Sequence, residues 1–180
     1  MRENMPIKIQ ELSIPDIKLI TPNKFKDDRG FFLETYNNLD FRNAGFPNFV
    51  QDNLSESSIG VIRGMHWQAN PFAQGKLVSC ISGAIVDVVV DVRKDSPTFR
   101  KYILIELNEN SGSSIWVPAG FAHGFQALAN KTRVHYKVSE FWNKESERSF
   151  NPLDTNINIP WPIDAHILST KDAEAPEFPI

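Results

Sequence analysis

The run LVSCISGAIVDVVVDV at 77–92 constrains the fold more than any other stretch of the chain. It is rich in β-branched side chains, which favour strands, and Gly83 divides it into two short strands. Because successive side chains of a strand point to opposite faces, the residues of the second strand separate into two sets. One set is Val86, Val88 and Val90, and the other is Asp87, Val89 and Asp91.

Similar short segments follow along the chain: YILIEL (102–107), SSIWVP (113–118), HGFQAL (123–128) and RVHYKVS (133–139). Turn-forming residues separate them, and many short strands at roughly ten-residue spacing predict an antiparallel sandwich or barrel. Helix is expected only at LDFRNAG (39–45), ending at Gly45, and in one turn near Ser169–Ala173 of the proline-rich tail. The predicted fold class is all-β with a few short peripheral helices, in a single domain over 1–180.

Composition excludes several classes of function. A hydrophobic content of 41% and a charged content of 23% suit a soluble globular protein. The net charge of -3 argues against a general nucleic-acid or anionic-membrane surface, and no apolar run reaches the ~18 residues of a membrane span. The start MRENMPIKIQELS has no apolar core of a secretory signal. Cys80 is the only cysteine and is expected to be a small buried residue, so a cytoplasmic protein without disulfides is predicted.

Two of the four histidines stand out by position. In a strand over 61–67, His66 would lie opposite Met65 and share a face with Ile62. His123 follows the turn VPAGFA (117–122), where a side chain can project into the mouth of a barrel. A single histidine in such a place is more often a structural hydrogen-bonding residue than a catalytic one.

The spacing of these histidines resembles the two paired motifs of the cupin superfamily, a small jelly-roll barrel. Metal-binding cupins usually add a second histidine two residues after the first, a nearby glutamate, and an asparagine four residues after the last histidine. Here those positions hold Gln68 and Ala127, and ANPFAQGK (69–76) contains no acid. Because a metal site needs three or four ligands, no metal site is predicted.

Other side chains in the same motifs suggest a different chemistry. Arg63 and Lys76 are cations that favour an anionic ligand, and a guanidinium can contact a phosphate with two donors. Tyr136 alternates with Val134 and is expected to point inward, where its hydroxyl needs a partner. Asp172 lies near the chain end and, taken alone, is interpreted as a solvated carboxylate.

Several long blocks, in order, resemble the dTDP-4-dehydrorhamnose 3,5-epimerase family of the cupin superfamily. They are FKDDRGFFLETY (25–36), FVQDNLSES (49–57), GVIRGMHWQ (60–68), AQGKLV (73–78), DVVVDVRKDSPTF (87–99), WVPAGFAHGF (116–125), YK (136–137) and INIPWP…LSTKD (157–172). The similarity covers nearly the whole chain. It implies a cupin-type jelly-roll barrel and an enzyme, needing no cofactor, that inverts C3 and C5 of a dTDP-4-keto-6-deoxy-hexose.

The resemblance also implies the catalytic roles. His66 matches the general base, and Asp172 matches the carboxylate that pairs with it. Lys76 matches the cation near the developing enolate oxygen, and Tyr136 matches the acid on the opposite face of the sugar. Removing a proton from one side and supplying one from the other is what inversion requires.

Contacts to the substrate follow from the same resemblance. Arg63 matches a residue that reaches the pyrophosphate, and His123 matches one that lines the pocket. Gln51 and Asn53 match polar contacts to the nucleotide. The partner implied is therefore a dTDP-sugar, with no nucleic acid and no membrane.

Assembly as a homodimer is implied as well, because the family shares N-terminal strands between subunits. Arg29 and Phe32 correspond to residues that enter the neighbouring subunit's site. The chain departs from the usual pattern in VSEFWNKESERSF (138–150) and FNPLDTN (150–156), so its thymine contacts are expected to differ from those of the family. The aromatic pair Phe141–Trp142 in the first segment could still stack on the base.

Three alternatives stay open on the sequence alone. One is an epimerase of a related nucleotide-linked 4-keto sugar that acts at C3 only. A second is a metal-dependent cupin oxygenase or isomerase, and a third is a non-catalytic cupin that binds a sugar nucleotide.

Overall fold

The computed structural model describes residues 7–178 as an antiparallel β structure with two short helices. The helices are α1 Asn38–Asn43 and α2 Thr170–Ala173. The strands are β1 Lys8–Glu11, β2 Lys18–Thr21, β3 Lys24–Asp27, β4 Gly30–Leu33, β5 Gln51–Ser57, β6 Ile62–Gln68, β7 Lys76–Ser82, β8 Ala84–Asp91, β9 Tyr102–Asn108, β10 Ser114–Val117, β11 Phe121–Ala127, β12 Thr132–Val138 and β13 Glu147–Ser149. The strands predicted between 61 and 139 are thereby confirmed, with Gly83 separating β7 from β8.

Two sheets face one another and form the body of the fold. One has the strand order β1-β2-β10-β7-β12-β5, the other β13-β6-β11-β8-β9, and β3 and β4 make a separate hairpin. An apolar core lies between the sheets, with Val78 and Val134 from the first and Val89 and Phe125 from the second. This arrangement confirms the predicted jelly-roll barrel.

Strand β8 is buried on both faces, which explains its nearly continuous apolar sequence. Val89 packs into the core between the sheets, as the predicted alternation requires. Val88 and Val90 point the other way, into a second cluster that contains Trp161 and Phe178. The proline-rich tail therefore covers the outer face of the five-stranded sheet, and Asp87 shares the inner face with Val89.

Helix α1 lies in the segment that covers the outer face of the six-stranded sheet. Asn37 caps it by accepting a hydrogen bond from the Leu39 N–H, and Phe41 packs beside Leu77 of β7. Gly45 follows the last turn with φ +86°, a conformation that favours glycine, so the predicted helix end is confirmed.

The single domain expected over 1–180 includes residues 1–6 and 179–180, which lie outside the described residues. Within residues 7–178, no helix is both long enough and apolar enough to cross a membrane. The Cys80 thiol is free and buried, as predicted.

Candidate active site

A cavity of about 530 Å³ opens between the two sheets. Strands β5, β7 and β12 form one wall, β6 and β11 form the other, and the segment ending in α2 closes one side. Seven of the ten predicted site residues line it: Asn53, Arg63, His66, Lys76, His123, Tyr136 and Asp172. Residues far apart in sequence therefore meet in one place.

A β-bulge in β6 turns two of these side chains toward the cavity. Against β11, His66 pairs with His123 and Arg63 pairs with Phe125, so β6 carries one extra residue between the pairs. Both Arg63 and His66 consequently face inward. The predicted strand was correct, but the expectation that His66 shares a face with Ile62 is wrong, because Ile62 packs in the outer cluster.

Glycine makes the bulge possible. Gly64 has φ +142°, and a Cβ atom added there would lie 2.6 Å from the Gly124 Cα of the neighbouring strand. Real Cβ atoms do not approach a backbone so closely, so the two strands could not keep this separation with a side chain at Gly64. Met65, the next residue, is completely buried on the outer side.

His66 and Asp172 form a direct couple, with Nε2 2.6 Å from Oδ1. Helix α2 holds the carboxylate in place, because its capping residue Ser169 accepts the Asp172 N–H. Burial alone would raise the pKa of Asp172, but hydrogen bonds from His66, Ser169 and the Gly64 N–H, with the His66 charge, hold that pKa below its usual value. Asp172 is 4% exposed, so the solvated carboxylate expected from its sequence position alone is wrong.

Lys76 is held close to the same couple. Its Nζ donates a hydrogen bond of 3.0 Å to the His66 carbonyl. Burial lowers the pKa of Lys76 to about 8, and the negative charges of Asp87 and Glu147 work against this lowering. An ammonium group with such a pKa is charged at neutral pH and weakly solvated, which suits it to stabilise a nearby anion.

Tyr136 stands on the opposite wall from His66. Its hydroxyl lies 3.2 Å from the Ser55 hydroxyl, and its ring meets His123 edge-on with centroids 6.2 Å apart. Burial raises the pKa of Tyr136 above its usual value, and the negative charge of Asp87 adds to this effect. Its phenol therefore keeps its proton and can donate it.

A second histidine–carboxylate couple was not predicted from the sequence. His123 Nε2 lies 2.8 Å from Asp87 Oδ2, and the side chains are 3% and 0% exposed. A signal existed, since Asp87 is a charged residue placed on the core face of a valine-rich strand. A carboxylate in such a position requires a partner, and the sequence pattern does not say which. Ser55 and Lys171 also line the cavity without having been predicted.

Polar groups on β5 extend the site beyond the acid–base residues. Arg63 donates to the Ser57 hydroxyl at 3.0 Å and to the Glu56 carbonyl at 3.0 Å, which leaves its guanidinium at the rim of the cavity. Gln51 donates to Asn53 at 2.9 Å. Asn53 lines the cavity, whereas Gln51 lies beside it.

Gln68 does not point into this cavity. Its amide nitrogen donates to the Phe72 carbonyl at 2.7 Å and to the Phe141 carbonyl at 3.2 Å, and its oxygen accepts the Asn143 N–H at 2.7 Å. Gln68 thus ties together two loops, one of which carries Phe141 and Trp142, 61% and 57% exposed. Across residues 7–178, no three His, Cys, Asp or Glu side chains are grouped closely enough to hold a metal ion.

Arg29 and Phe32 are not brought to the cavity of their own chain. Both lie on the β3–β4 hairpin, where Arg29 pairs with Asp27 and Phe32 is 62% exposed. Their predicted entry into a neighbouring subunit's site concerns an assembly, and it stays a prediction.

Comparison with known proteins agrees with this geometry. The family model described as dTDP-4-dehydrorhamnose 3,5-epimerase matches residues 11–179. A Shigella flexneri protein of that name is 42% identical over 174 residues, covering 96% of each chain. The Bacillus anthracis dTDP-4-dehydrorhamnose 3,5-epimerase, solved with TDP and PPi bound, superposes with a TM-score of 0.92 at 44% identity, covering 96% of this chain and 99% of that one. The Legionella pneumophila dTDP-6-deoxy-D-glucose-3,5-epimerase, in complex with dTDP-4-keto-L-rhamnose, has a TM-score of 0.92 at 39% identity, covering 96% and 93%.

Proposed function

The chain belongs to the dTDP-4-dehydrorhamnose 3,5-epimerase family, and from this premise we propose how its cavity side chains divide the reaction. The enzyme is an epimerase of nucleotide-sugar biosynthesis that inverts C3 and C5 of a dTDP-4-keto-6-deoxy-hexose. Both carbons flank the C4 ketone. Their protons are acidic enough to remove because the resulting carbanion spreads its charge onto the ketone oxygen as an enolate.

His66 is the base that removes these protons. Its pairing with Asp172 at 2.6 Å supports this role, because the carboxylate fixes the orientation of the ring and stabilises the imidazolium formed on abstraction. Lys76 lies next to the base, since it donates to the His66 carbonyl. Its ammonium group supplies the charge that the enolate oxygen needs, already in place before the reaction starts.

Tyr136 is the acid that returns a proton from the other side of the sugar. The observation that carries the assignment is the placement of base and acid on opposite walls. His66 lies on β6 of one sheet and Tyr136 on β12 of the other. A ring bound between them has one face toward the imidazole and the other toward the phenol, which is the arrangement that inversion needs.

The nucleotide extends from the sugar toward β5. Arg63 at the cavity rim is placed to contact the pyrophosphate with its guanidinium, and Asn53 and Gln51 offer polar groups to the nucleotide. His123 lines the sugar end of the same cavity. No metal or other cofactor has a role in this mechanism.

The enzyme acts as a homodimer of single-domain subunits in the cytoplasm. The β3–β4 hairpin supports the dimer, because it presents Phe25, Phe31 and Phe32 with at least half of each side chain exposed. In the dimer, Arg29 and Phe32 would reach the partner's cavity. Sedimentation tests the dimer itself. A mixed dimer of Arg29→Ala and His66→Ala subunits tests the shared site, because one of its two cavities has both His66 and the partner's Arg29 and should recover part of the activity that each variant lacks.

The function is tested by incubating the protein with dTDP-4-keto-6-deoxyglucose in D2O and following deuterium at C3 and C5 by NMR. Label at both carbons and, after a dTDP-4-keto-rhamnose reductase is added, the L-rhamno product are expected. Label at C3 alone would identify a C3 epimerase instead.

His66→Ala should abolish exchange at both carbons. His166→Ala is the matched control, because His166 is exposed and lies outside the cavity lining, and it should exchange at the wild-type rate. Exchange at the full rate by His66→Ala would remove His66 from the role of base.

A further inference from the structure

Asp87 lies behind the cavity lining, where it contacts the lining residue His123. It is on the inner face of β8 with Val89, and its side chain is 0% exposed. Asp87 pairs in register with Phe125 of β11, so His123 is its diagonal neighbour on the same face. That diagonal relation is what brings Oδ2 to 2.8 Å from His123 Nε2.

The other carboxylate oxygen of Asp87 is unusual. Oδ1 is the one buried side-chain nitrogen or oxygen atom, among those of residues 7–178, that has no hydrogen-bond partner. Folded proteins pair nearly all such atoms because an unpaired one costs free energy, and a carboxylate costs the most. A carboxylate kept in this state needs a reason other than stability.

The charged groups around Lys76 suggest that reason. Of the carboxylates on the elements around it, Asp172 on α2 is paired with His66 at 2.6 Å, and Glu147 on β13 is paired with Lys171 at 2.8 Å. The remaining ionisable groups of the cavity are Arg63 on β6, His123 on β11 and Tyr136 on β12. Asp87 is the remaining carboxylate of this set, and it is bonded through Oδ2 alone, to His123.

We propose that Asp87 is a positioning residue of the epimerase, which orients His123 through one oxygen and keeps Lys76 charged through its negative field. The proposal rests on the function proposed above. The contact between Nε2 and Asp87 holds the His123 ring in one orientation and leaves Nδ1 as the ring nitrogen not bonded to Asp87. Asp87 also opposes the effect of burial on the pKa of Lys76, so the ammonium form persists where the enolate develops.

The test is Asp87→Asn, which keeps the shape and removes the charge. On the alkaline side of the pH profile, kcat/KM should fall at a pH about one unit lower than in the wild type, because Lys76 then gives up its proton more easily. At neutral pH, kcat should fall roughly 10- to 100-fold, with a smaller change in KM.

Asp91→Asn is the matched control. Asp91 is on the same strand and is equally buried, but it bonds to Arg93, Ser96 and Thr98 at the other end of β8. The Asp91→Asn substitution should lower Tm and leave the alkaline limb of the kcat/KM profile at the same pH as in the wild type. An Asp87→Asn enzyme with an unshifted limb, or an Asp91→Asn enzyme with the same shift, would overturn the proposal.

The wild-type enzyme separates this failure from failure of the proposed function. If wild type does not exchange deuterium, the function is wrong; if it does and the limb does not move in Asp87→Asn, only the role of Asp87 is wrong. If Asp87→Asn does not fold, 15N NMR of the wild-type histidines still tests the proposal, because it shows which nitrogen of His123 carries the proton. The proposal requires His123 to carry a proton on Nε2 throughout neutral pH, and a bare Nε2 with a protonated Nδ1 refutes it.

Discussion

Replacing Asp172 by Asn isolates the charge of the catalytic couple from its shape. The Asp172 side chain is 5% exposed and its Oδ1 lies 2.6 Å from His66 Nε2, so an amide of the same size fits the same space. Because the pKa of Asp172 is held below its usual value, wild type has a carboxylate there at neutral pH. The variant keeps a neighbour for the ring and loses the negative charge that stabilises the imidazolium.

The size of the effect follows from that lost interaction. A hydrogen bond to a charged partner contributes about 1.5–3 kcal/mol, which corresponds to about a 10- to 150-fold change in rate. His66 is 29% exposed, so water can replace part of the lost stabilisation. We therefore expect the exchange rate of Asp172→Asn to fall by about 10- to 40-fold, in the lower part of that range.

The assay is deuterium exchange from D2O at C3 and at C5, with a separate rate for each carbon. Both rates should fall together, since one base serves both. Glu174→Gln is the control, because it removes a charge from the exposed C-terminal capping residue of α2, which does not line the cavity. If Asp172→Asn exchanges both protons within about twofold of wild type, the charge of Asp172 does not assist His66.

Three further predictions concern other parts of the site. The wild-type kcat/KM should fall as pH rises through about 8, because Lys76 is charged below its lowered pKa and neutral above it, and a pH–rate profile checks this. Gly64→Ala should cost about 2–3 kcal/mol of unfolding free energy in urea, since its Cβ would meet the Gly124 Cα at 2.6 Å; wild-type stability would contradict the close approach. Gln68→Leu removes two hydrogen bonds to the Phe141 loop and one to Phe72, and it should raise KM on the order of 10-fold with kcat nearly unchanged, whereas a fall in kcat alone would place Gln68 in the chemistry instead.

The sequence by itself determined the strands and much of the site. Alternation at 77–92 and in the segments that follow is a local property, because a side chain's direction along a strand depends only on its position in that strand. The positions of β7 to β12, to within two residues at each end, and the termination of α1 just before Gly45 could therefore be predicted. The resemblance of whole blocks supplied residues such as His66, Lys76 and Tyr136, which the cavity does bring together.

Only the tertiary structure decided how the site residues are buried and which further pairs they form. The family resemblance implies that His66 and Asp172 pair across 106 residues, but the burial of this carboxylate against the imidazole is seen only in the folded chain. The pairing of Asp87 with His123 depends on the register between β8 and β11, and the inward direction of Arg63 depends on a bulge in β6. Register and bulges are set by contacts between strands that are distant in sequence, so no periodicity within one strand encodes them.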